Sequence, residues 1–278
     1  MAQSDRTQAQ AHPHLEVVFL GSSAGIQVPA FFCSCETCEA ARRDATQRRT
    51  RASLALLGEE TVLIDAGPDL EFQLEREGIR RPDRIFVTHW HFDHIGGLAS
   101  LAEPASIAKW PPLDVYLPHQ VAHHFDEELA YVKPAVTLHP VQPGDRLDLP
   151  DATWEVVKTT HTDHSVGFIV EAARRFAYLV DTVEPPPETT ARLQGLDLLV
   201  VEASVDELDA KGWVNFSFQQ AADLWQRSGI PECVLTHLCC HRYLGKRWLA
   251  GFTPAERRAL EAAQPGLRFA YDGMRLTL

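Results

Sequence analysis

Four side chains that can bind a metal ion lie within six residues, directly after an apolar segment: His89, His91, Asp93 and His94. The apolar segment, residues 84–88, is predicted to be a strand, so the cluster stands in a loop at a strand end. His89 and His91 are one residue apart and can converge on one ion, while Asp93 and His94 can turn toward a second. Imidazole and carboxylate ligands suit zinc, manganese or iron. So dense a cluster favours a metal site over a surface loop with incidental histidines.

Apolar patterning along the rest of the chain predicts many further strands and a few helices. The predicted strands are 15–20, 53–57, 61–65, 115–117, 154–159, 167–171, 176–180, 196–202 and 233–236, and the predicted helices are 69–77 and 218–228. Some strands pair as hairpins, which fits an α/β fold of two sheets covered by helices better than one parallel sheet. Residues 1–14 are predicted to be a disordered tail, and residues 15–278 a single domain.

Charge and composition limit the partners of the chain. The formal net charge is -12 over 278 residues, whereas a nucleic-acid footprint needs a basic surface. A small anionic substrate remains compatible, because bound metal ions supply positive charge locally. No secretory signal and no membrane-spanning apolar stretch is visible. Since the crowded cysteines suit a metal site better than a disulfide framework, we expect a cytoplasmic protein.

Several segments resemble the metallo-β-lactamase superfamily, and the resemblance runs from Phe19 to Leu278. The chain looks most like the PhnP-type phosphoribosyl cyclic phosphodiesterases, with ribonuclease Z a more distant relative. The similar segments are 19–29, 33–38, 63–69, 88–94, 180–182, 235–237 and 271–274. The histidine loop is specific for the superfamily, whereas the cysteines in 33–38 and the Tyr-Asp-Gly-Met run at 271–274 point to the PhnP branch. The resemblance implies a four-layer αββα sandwich.

The same resemblance implies a ligand set for two divalent ions, zinc or manganese. One ion would be held by His89, His91 and His161, the other by Asp93, His94 and His237, and Asp181 would bridge them. His164 is the rival of His161, or a contact to the substrate phosphate. Asp65 would orient a metal-binding histidine. A hydroxide bridging the two ions would attack the phosphorus of a small or cyclic phosphodiester.

Three cysteines lie within six residues, at Cys33, Cys35 and Cys38. Structural zinc takes four ligands, so the cysteines predict a zinc-stapled loop completed from elsewhere in the chain. PhnP-like proteins complete this site with a histidine at the position that is Cys240 here, and His241 follows it. Either Cys240 or His241 could therefore be the fourth ligand.

The chain departs from the family at the residues that assist the leaving group. PhnP-like and ribonuclease Z-like enzymes carry a histidine near 201–204, where Val201 and Val205 flank the segment here and neither can do that work. Glu202 is present and could orient other groups, and Asn215 stands where those enzymes have a second histidine. The proton donor is therefore left open between Asp93, His164 and metal-held water, with Asp181 as the other predicted catalytic residue. Residues 242–252 add basic and aromatic side chains that could contact an anionic substrate or form a surface loop.

Two other functions remain as alternatives. The first is a hydrolase of the same fold that acts on a carbonyl, such as a thioester, lactone or lactam. The second is a PqqB-like protein of cofactor biosynthesis, since PqqB has a similar cysteine-rich start. A tRNA-processing enzyme is disfavoured, because it needs a basic surface or arm to grip RNA. The natural substrate and the oligomeric state, with a homodimer as one option, are left open.

Overall fold

The computed structural model describes residues 15–204, 215–244 and 247–278, and for 242–244 and 247–250 it describes only the backbone. The predicted disordered tail, residues 1–14, lies outside the described residues.

Two seven-stranded mixed sheets form the centre of the described chain. The strands of the first sheet are β1 (Glu16–Gly21), β2 (Ser53–Leu57), β3 (Thr61–Ile64), β4 (Arg84–Phe86), β5 (Leu113–Pro118), β6 (Val136–Val141) and β16 (Arg275–Thr277). Those of the second are β7 (Arg146–Asp148), β8 (Thr153–Lys158), β9 (Val166–Glu171), β10 (Arg175–Leu179), β11 (Leu198–Glu202), β12 (Glu232–Thr236) and β15 (Leu267–Phe269). A separate hairpin pairs β13 (His241–Leu244) with β14 (Arg247–Ala250).

The strand order is β16-β1-β2-β3-β4-β5-β6 in the first sheet and β15-β12-β11-β10-β9-β8-β7 in the second. In the first sheet β3 to β6 run parallel, and in the second β10, β11, β12 and β15 run parallel. The other pairings are antiparallel hairpins and meanders, for example β1 with β2 and β8 with β9. Parallel strands direct their carboxyl ends to one edge of a sheet, where loops can gather functional side chains.

Helices connect the strands and cover the outer faces of both sheets. They are α1 (Glu36–Arg43), α2 (Leu70–Glu77), α3 (Phe92–Ile95), α4 (Ala102–Ala108), α5 (Ala122–Glu128), α6 (Pro187–Arg192), α7 (Phe218–Ser228) and α8 (Pro254–Ala263). Short 3₁₀ helices add Ala45–Gln47, Leu98–Leu101 and Ala130–Ala135. Both α7 and α8 begin with a capping box, Ser217 with Gln220 and Thr253 with Glu256, which satisfies amide groups that a helix start leaves unpaired.

The central strands of both sheets bury both faces, and their alternating side chains enter different apolar layers. Along β1, Val17 and Phe19 join the layer between the sheets, whereas Val18 and Leu20 pack under the helices of the first sheet. The central layer includes Phe86, whose ring stacks on Trp154 of the opposite sheet with centroids 4.1 Å apart. A third layer lies between the second sheet and its helices. These layers confirm the four-layer αββα sandwich.

The predicted strands and helices are present, with ends shifted by one or two residues. The predicted strand 115–117 is longer in the structure, as β5, and the predicted helix 218–228 has the bounds of α7. The apolar patterning did not predict the strands β6, β7, β13, β14, β15 and β16 or the helices α1, α3, α4, α5, α6 and α8. In the described part of the chain, no helix has the length and apolar character needed to cross a membrane.

Candidate metal centre

The predicted metal-binding side chains come from strand ends of both sheets. The histidine loop follows β4 in the first sheet, and α3 begins within it at Phe92. His161 follows β8, Asp181 follows β10 and His237 directly follows β12 in the second sheet. The site therefore lies at one edge of the sandwich, where the two sheets meet.

Three site residues have a left-handed backbone that non-glycine residues rarely adopt. Asp65, Asp181 and His237 have φ angles of 64°, 47° and 55°. Each of these residues stands just past a strand, where the chain turns sharply and directs the side chain into the site. Such backbone conformations cost on the order of 1–3 kcal/mol each and concentrate at functional sites. The unfavourable geometry supports a role for these residues beyond packing.

Four residues form the first cluster: His89, His91, His161 and Asp181. Their ligand atoms lie within 4.8 Å of one another. Nε2 of His89 is 2.8 Å from Nδ1 of His91, which is 3.1 Å from Nε2 of His161, and Oδ2 of Asp181 lies 3.3 Å from His89 Nε2. Three imidazole nitrogens with a carboxylate oxygen form a donor set that suits zinc.

The second cluster consists of Asp93, His94, Asp181 and His237, again with ligand atoms within 4.8 Å. Nε2 of His94 is 2.9 Å from Oδ2 of Asp181 and 3.2 Å from Oδ2 of Asp93. The Nε2 atoms of His94 and His237 are nevertheless buried without a hydrogen-bond partner among the described residues. Buried polar atoms are rarely left unpaired, and a cation between them would satisfy both. Asp181 belongs to both clusters, so the residues fit two neighbouring metal ions.

Groups behind the histidines determine which ring nitrogen faces the clusters. Nδ1 of His94 lies 2.7 Å from Oδ2 of the fully buried Asp65, and this carboxylate also accepts the Thr88 amide and hydroxyl protons. Oγ1 of Thr88 lies 3.0 Å from Nδ1 of His89. Donation from both Nδ1 atoms leaves the lone pair of each Nε2 directed into the site, as a metal ligand requires. Asp65 therefore lies behind His94, in contact with its Nδ1.

Three polar side chains, Glu202, Ser204 and Asn215, form a hydrogen-bonded network next to Asp181 and His237. Glu202 accepts hydrogen bonds from the Thr182 amide, the Ser204 hydroxyl at 2.6 Å and the Asn215 amide at 2.8 Å. Asn215 also donates to Oδ1 of Asp181, and Ser204 Oγ lies 2.8 Å from Nδ1 of His237. From the sequence, Asn215 is a departure from the family and Glu202 a candidate for orienting other groups, whereas no role is predicted for Ser204. Only the fold brings these three residues together.

The carboxylates and histidines of the site shift one another's protonation. Burial disfavours charge on His237, but Asp181, Asp93 and Glu202 raise its pKa to about 10. Burial also opposes ionisation of Asp181, yet His237, His89 and His94 hold its pKa well below the usual range. Burial and the nearby charge of His94 lower the pKa of His89 to about 4. The centre therefore keeps its acids ionised and attracts positive charge, either protons or metal ions.

His164 lies in neither cluster. It is exposed in the loop after β8, whereas the His161 ring faces His91 and His89. Of the two rivals for the third histidine, the structure brings His161 to the site. A contact of His164 with substrate stays a prediction. The predicted substrate contacts of residues 242–252 also stay untested, because the side chains of 242–250 lie outside the described residues.

The cysteines gather as a separate cluster: Cys33, Cys35, Cys38 and Cys240, with sulfur atoms within 4.8 Å of one another. The amides of Ala30 and Cys35 donate to the sulfurs of Cys38 and Cys33, each at 3.3 Å. His241 stays at the edge, with Nδ1 3.1 Å from the Cys240 sulfur and Nε2 3.5 Å from the Cys33 sulfur. Four converging thiols suit tetrahedral zinc. The geometry favours Cys240 over His241 as the fourth ligand.

A family model described as a beta-lactamase superfamily domain matches residues 60–238, which is more than half of the chain. Coenzyme PQQ synthesis protein B from Methylobacterium radiotolerans is 32% identical over 221 residues, covering 69% of this chain and 73% of that protein. An octanoyltransferase from Porphyromonas gingivalis is 28% identical over 271 residues. That match covers 94% of this chain, which spans only 51% of the length of the octanoyltransferase.

A solved structure described as a new diphosphatase from the PhnP family superposes with a TM-score of 0.81. The match covers 96% of this chain and 98% of that one, at 24% sequence identity. This likeness shows a shared fold, which agrees with the two sheets and their covering helices. Together with the family match across the histidine loop, it shows that the chain belongs to the beta-lactamase superfamily and has the metallo-β-lactamase fold.

Proposed function

We propose that this chain is a dinuclear metal-dependent hydrolase that cleaves a small or cyclic phosphodiester. The observation that carries the proposal is that Asp181 belongs to two adjacent four-residue clusters, each with buried imidazole and carboxylate donors. Two divalent ions, zinc or manganese, would supply Lewis-acid activation of water and of a phosphoryl group.

This proposal assigns a role to each residue of the two clusters. His89, His91 and His161 would hold one ion, and Asp93, His94 and His237 would hold the other. Asp181 directs Oδ2 toward both clusters, while its Oδ1 is held by Asn215. Because Asn215 restrains this carboxylate, Asp181 is held in an orientation in which it would contribute to both metal sites. Burial opposes ionisation of Asp93, but His94 and His237 hold its pKa well below the usual range. We therefore propose His164, or water held by an ion, as the proton donor to the leaving oxygen.

Three observations support a phosphodiester as the substrate class. The fold matches a diphosphatase of the PhnP family, and the cysteine cluster and the Tyr-Asp-Gly-Met run resemble that branch. Two adjacent ions can hold both non-bridging oxygens of a phosphodiester. A net charge of -12 disfavours a long nucleic acid, so we propose a small anionic substrate.

A carbonyl-directed hydrolase and a PqqB-like role are the second candidates. The 32% identity with coenzyme PQQ synthesis protein B supports the latter, and the name of the octanoyltransferase relative specifies an acyl group. Asn215, in place of a family histidine, is tied to Asp181 and Glu202. It therefore cannot serve as the acid that the phosphodiesterases use at this position.

The proposal is tested by metal analysis together with hydrolysis assays on the purified chain. We expect about three ions per chain, two at the histidine clusters and one at the cysteines. We also expect turnover of bis(p-nitrophenyl) phosphate and of a cyclic ribose phosphate. Asp181→Ala and His91→Ala should lose this turnover, whereas His123→Ala, at an exposed histidine outside both clusters, should keep it.

Hydrolysis of a thioester or lactone with no diester turnover would favour the carbonyl hydrolase. One ion per chain, with no hydrolysis after zinc or manganese is added, would favour the non-hydrolytic role.

We propose that the protein is cytoplasmic, since all six cysteines are free and thiols persist in reducing compartments. A homodimer is an assembly to test by light scattering.

A further inference from the structure

A small cavity lies between α1, the following 3₁₀ helix and the start of α8, and it shares no residue with the histidine clusters. Its volume is about 120 Å³, several times the roughly 30 Å³ that one water molecule occupies. The polar side chains of its lining are Glu36, Thr37, Gln47, Arg49, Thr253 and Arg257. Two of these are arginines. The charge that the cavity can bind depends on whether acidic groups of the chain already pair with them.

Arg49 is only 4% exposed and has no carboxylate within ion-pair distance among the described residues. Its backbone pairs with Val28 in both directions, which fixes the residue beside the cysteine loop. Its Nε atom is buried without a hydrogen-bond partner in the described part of the chain. Burying an unpaired charge is costly, so a guanidinium held here is expected to have a counter-charge.

Arg257, which also lines the cavity, likewise lacks a hydrogen-bond partner for its Nε atom among the described residues. It lies in the first turn of α8, and its Nε is buried. By contrast, Arg84 on β4 is held by Glu60 and Asp114. Glu36 is the acid of the lining, but it is exposed and joins neither arginine in an ion pair among the described residues.

The two arginines act on each other as like charges. Burial lowers the pKa of Arg49 to about 10, and the charge of Arg257 adds to that effect. Both side chains remain protonated at neutral pH. The charges of Asp272 and Glu261 offset them in part, but neither carboxylate lines the cavity. Guanidinium groups bind tetrahedral oxyanions through paired N–H donors.

We propose that the cavity is a binding site for a phosphate-class oxyanion, held between Arg49 and Arg257. Inorganic phosphate and the phosphate group of a small phosphomonoester share this chemistry. The site is independent of the proposed reaction, since none of its residues lies in the histidine clusters.

The test measures binding of inorganic phosphate, and then of a ribose monophosphate, to the zinc-loaded full chain by calorimetry. Arg49→Gln and Arg257→Gln remove one guanidinium each. Arg258→Gln, at an exposed neighbour that does not line the cavity, is the matched control. Phosphate should bind the wild type and Arg258→Gln with equal affinity, and about tenfold or more weaker in either cavity variant. If inorganic phosphate binds more tightly, the site takes the free anion; if the ribose monophosphate binds more tightly, the site takes a phosphomonoester.

Phosphate bound at the histidine clusters does not complicate this comparison, because neither arginine belongs to them and that binding persists in every variant. Unchanged phosphate binding in both cavity variants overturns the proposal. So does loss of zinc from the cysteine cluster in Arg49→Gln with phosphate binding intact, since Arg49 would then balance the thiolates. If Arg49→Gln does not fold, the partly exposed Arg257 decides the question.

Discussion

His94 and His237 each present one ring nitrogen to carboxylates while the other nitrogen is held from behind. Asp65 holds Nδ1 of His94, and Ser204 lies 2.8 Å from Nδ1 of His237. Since the Ser204 hydroxyl donates to Glu202 at 2.6 Å, its oxygen is free to accept from His237. Both Nε2 atoms then carry lone pairs toward Asp93 and Asp181. This arrangement is unfavourable for neutral rings alone and favourable around a cation.

Asn215 restrains the shared carboxylate, so its substitution should loosen the second cluster. Asn215→Ala removes the donor to Asp181 and Glu202, and we expect a loss of about 1–3 kcal/mol in unfolding free energy and about 10–100-fold weaker metal binding. Asn215→Asp should be worse, because it adds a third carboxylate between two others. Urea denaturation and metal titration measure both effects.

Gln219→Ala is the control, because this side chain is exposed and bonds only Asp223 among the described residues. Wild-type metal affinity in Asn215→Asp would contradict the restraining role of Asn215.

The fourth ligand of the cysteine cluster can be identified by zinc analysis. Cys240→Ala should release about one zinc per chain, since structural zinc needs four ligands. His241→Ala should retain the zinc, because its ring only borders the sulfurs of Cys33 and Cys240. Loss of zinc from His241→Ala with retention in Cys240→Ala would reverse the assignment and indicate a Cys₃His site.

At the scale of elements, the histidine loop depends on close backbone contact with the segment after β3. A Cβ atom on Gly67 would lie 2.1 Å from the carbonyl oxygen of Asp93, so no other residue fits without moving that loop. Gly67→Ala should cost about 1–3 kcal/mol of stability and lower the metal content, because Asp93 is displaced. Thermal unfolding and elemental analysis measure the two effects.

Gly25→Ala is the matched substitution for Gly67→Ala. Its added Cβ would lie 3.5 Å from the Asp93 carboxylate, which is an ordinary contact. Equal stability and metal content in the two variants would show that the close approach of Gly67 is not required.

The strands that carry the site were predictable because their apolar runs are buried on both faces. β1 and β10 alternate between two apolar layers, so their hydrophobic signal is strong. The short β7 is largely exposed and β15 has only three residues, so neither carries such a signal. The start of α8 was missed although Thr253, Pro254 and Glu256 form a recognisable helix start.

The site was predictable where neighbours in sequence are also neighbours in space. The histidine loop satisfies that condition, and the resemblance supplied His161, Asp181 and His237. The hydrogen bonds of Glu202, Ser204 and Asn215 depend on how β11 and the start of α7 pack together. Local propensity contains no information about such packing. The cavity between Arg49 and Arg257 likewise depends on tertiary placement, since more than two hundred residues separate the two arginines.

At the scale of the whole molecule, the metal centre joins the two sheets. The histidine loop extends from the first sheet, whereas His161, Asp181 and His237 extend from the second. The aromatic stack of Phe86 on Trp154 joins the same sheets through the core. Metal ions bound at the edge would therefore stabilise the native sandwich relative to the unfolded chain, in which no such site exists.

Protons and metal ions compete for Nε2 of His237, so pH and metal removal should be linked. In the metal-free chain the pKa of His237 is raised to about 10, against about 6.5 in the unfolded chain. The stabilisation from its proton is fully present below about pH 6.5 and is lost as the pH rises toward about 10. The chelated protein should therefore lose stability between about pH 7 and about pH 9, by at most about 1.4 kcal/mol per pH unit for each proton retained.

Metal loading should remove this slope and raise the unfolding free energy, because an ion replaces the proton at His237. Urea denaturation of the chelated and metal-loaded proteins across this pH range tests both expectations. The chelated His237→Gln variant is the control for other titrating groups, the cysteines among them, and its slope should be smaller than that of the chelated wild type. If chelated and metal-loaded proteins show equal slopes and equal stabilities, metal ions do not bind at His237, and the centre does not join the two sheets.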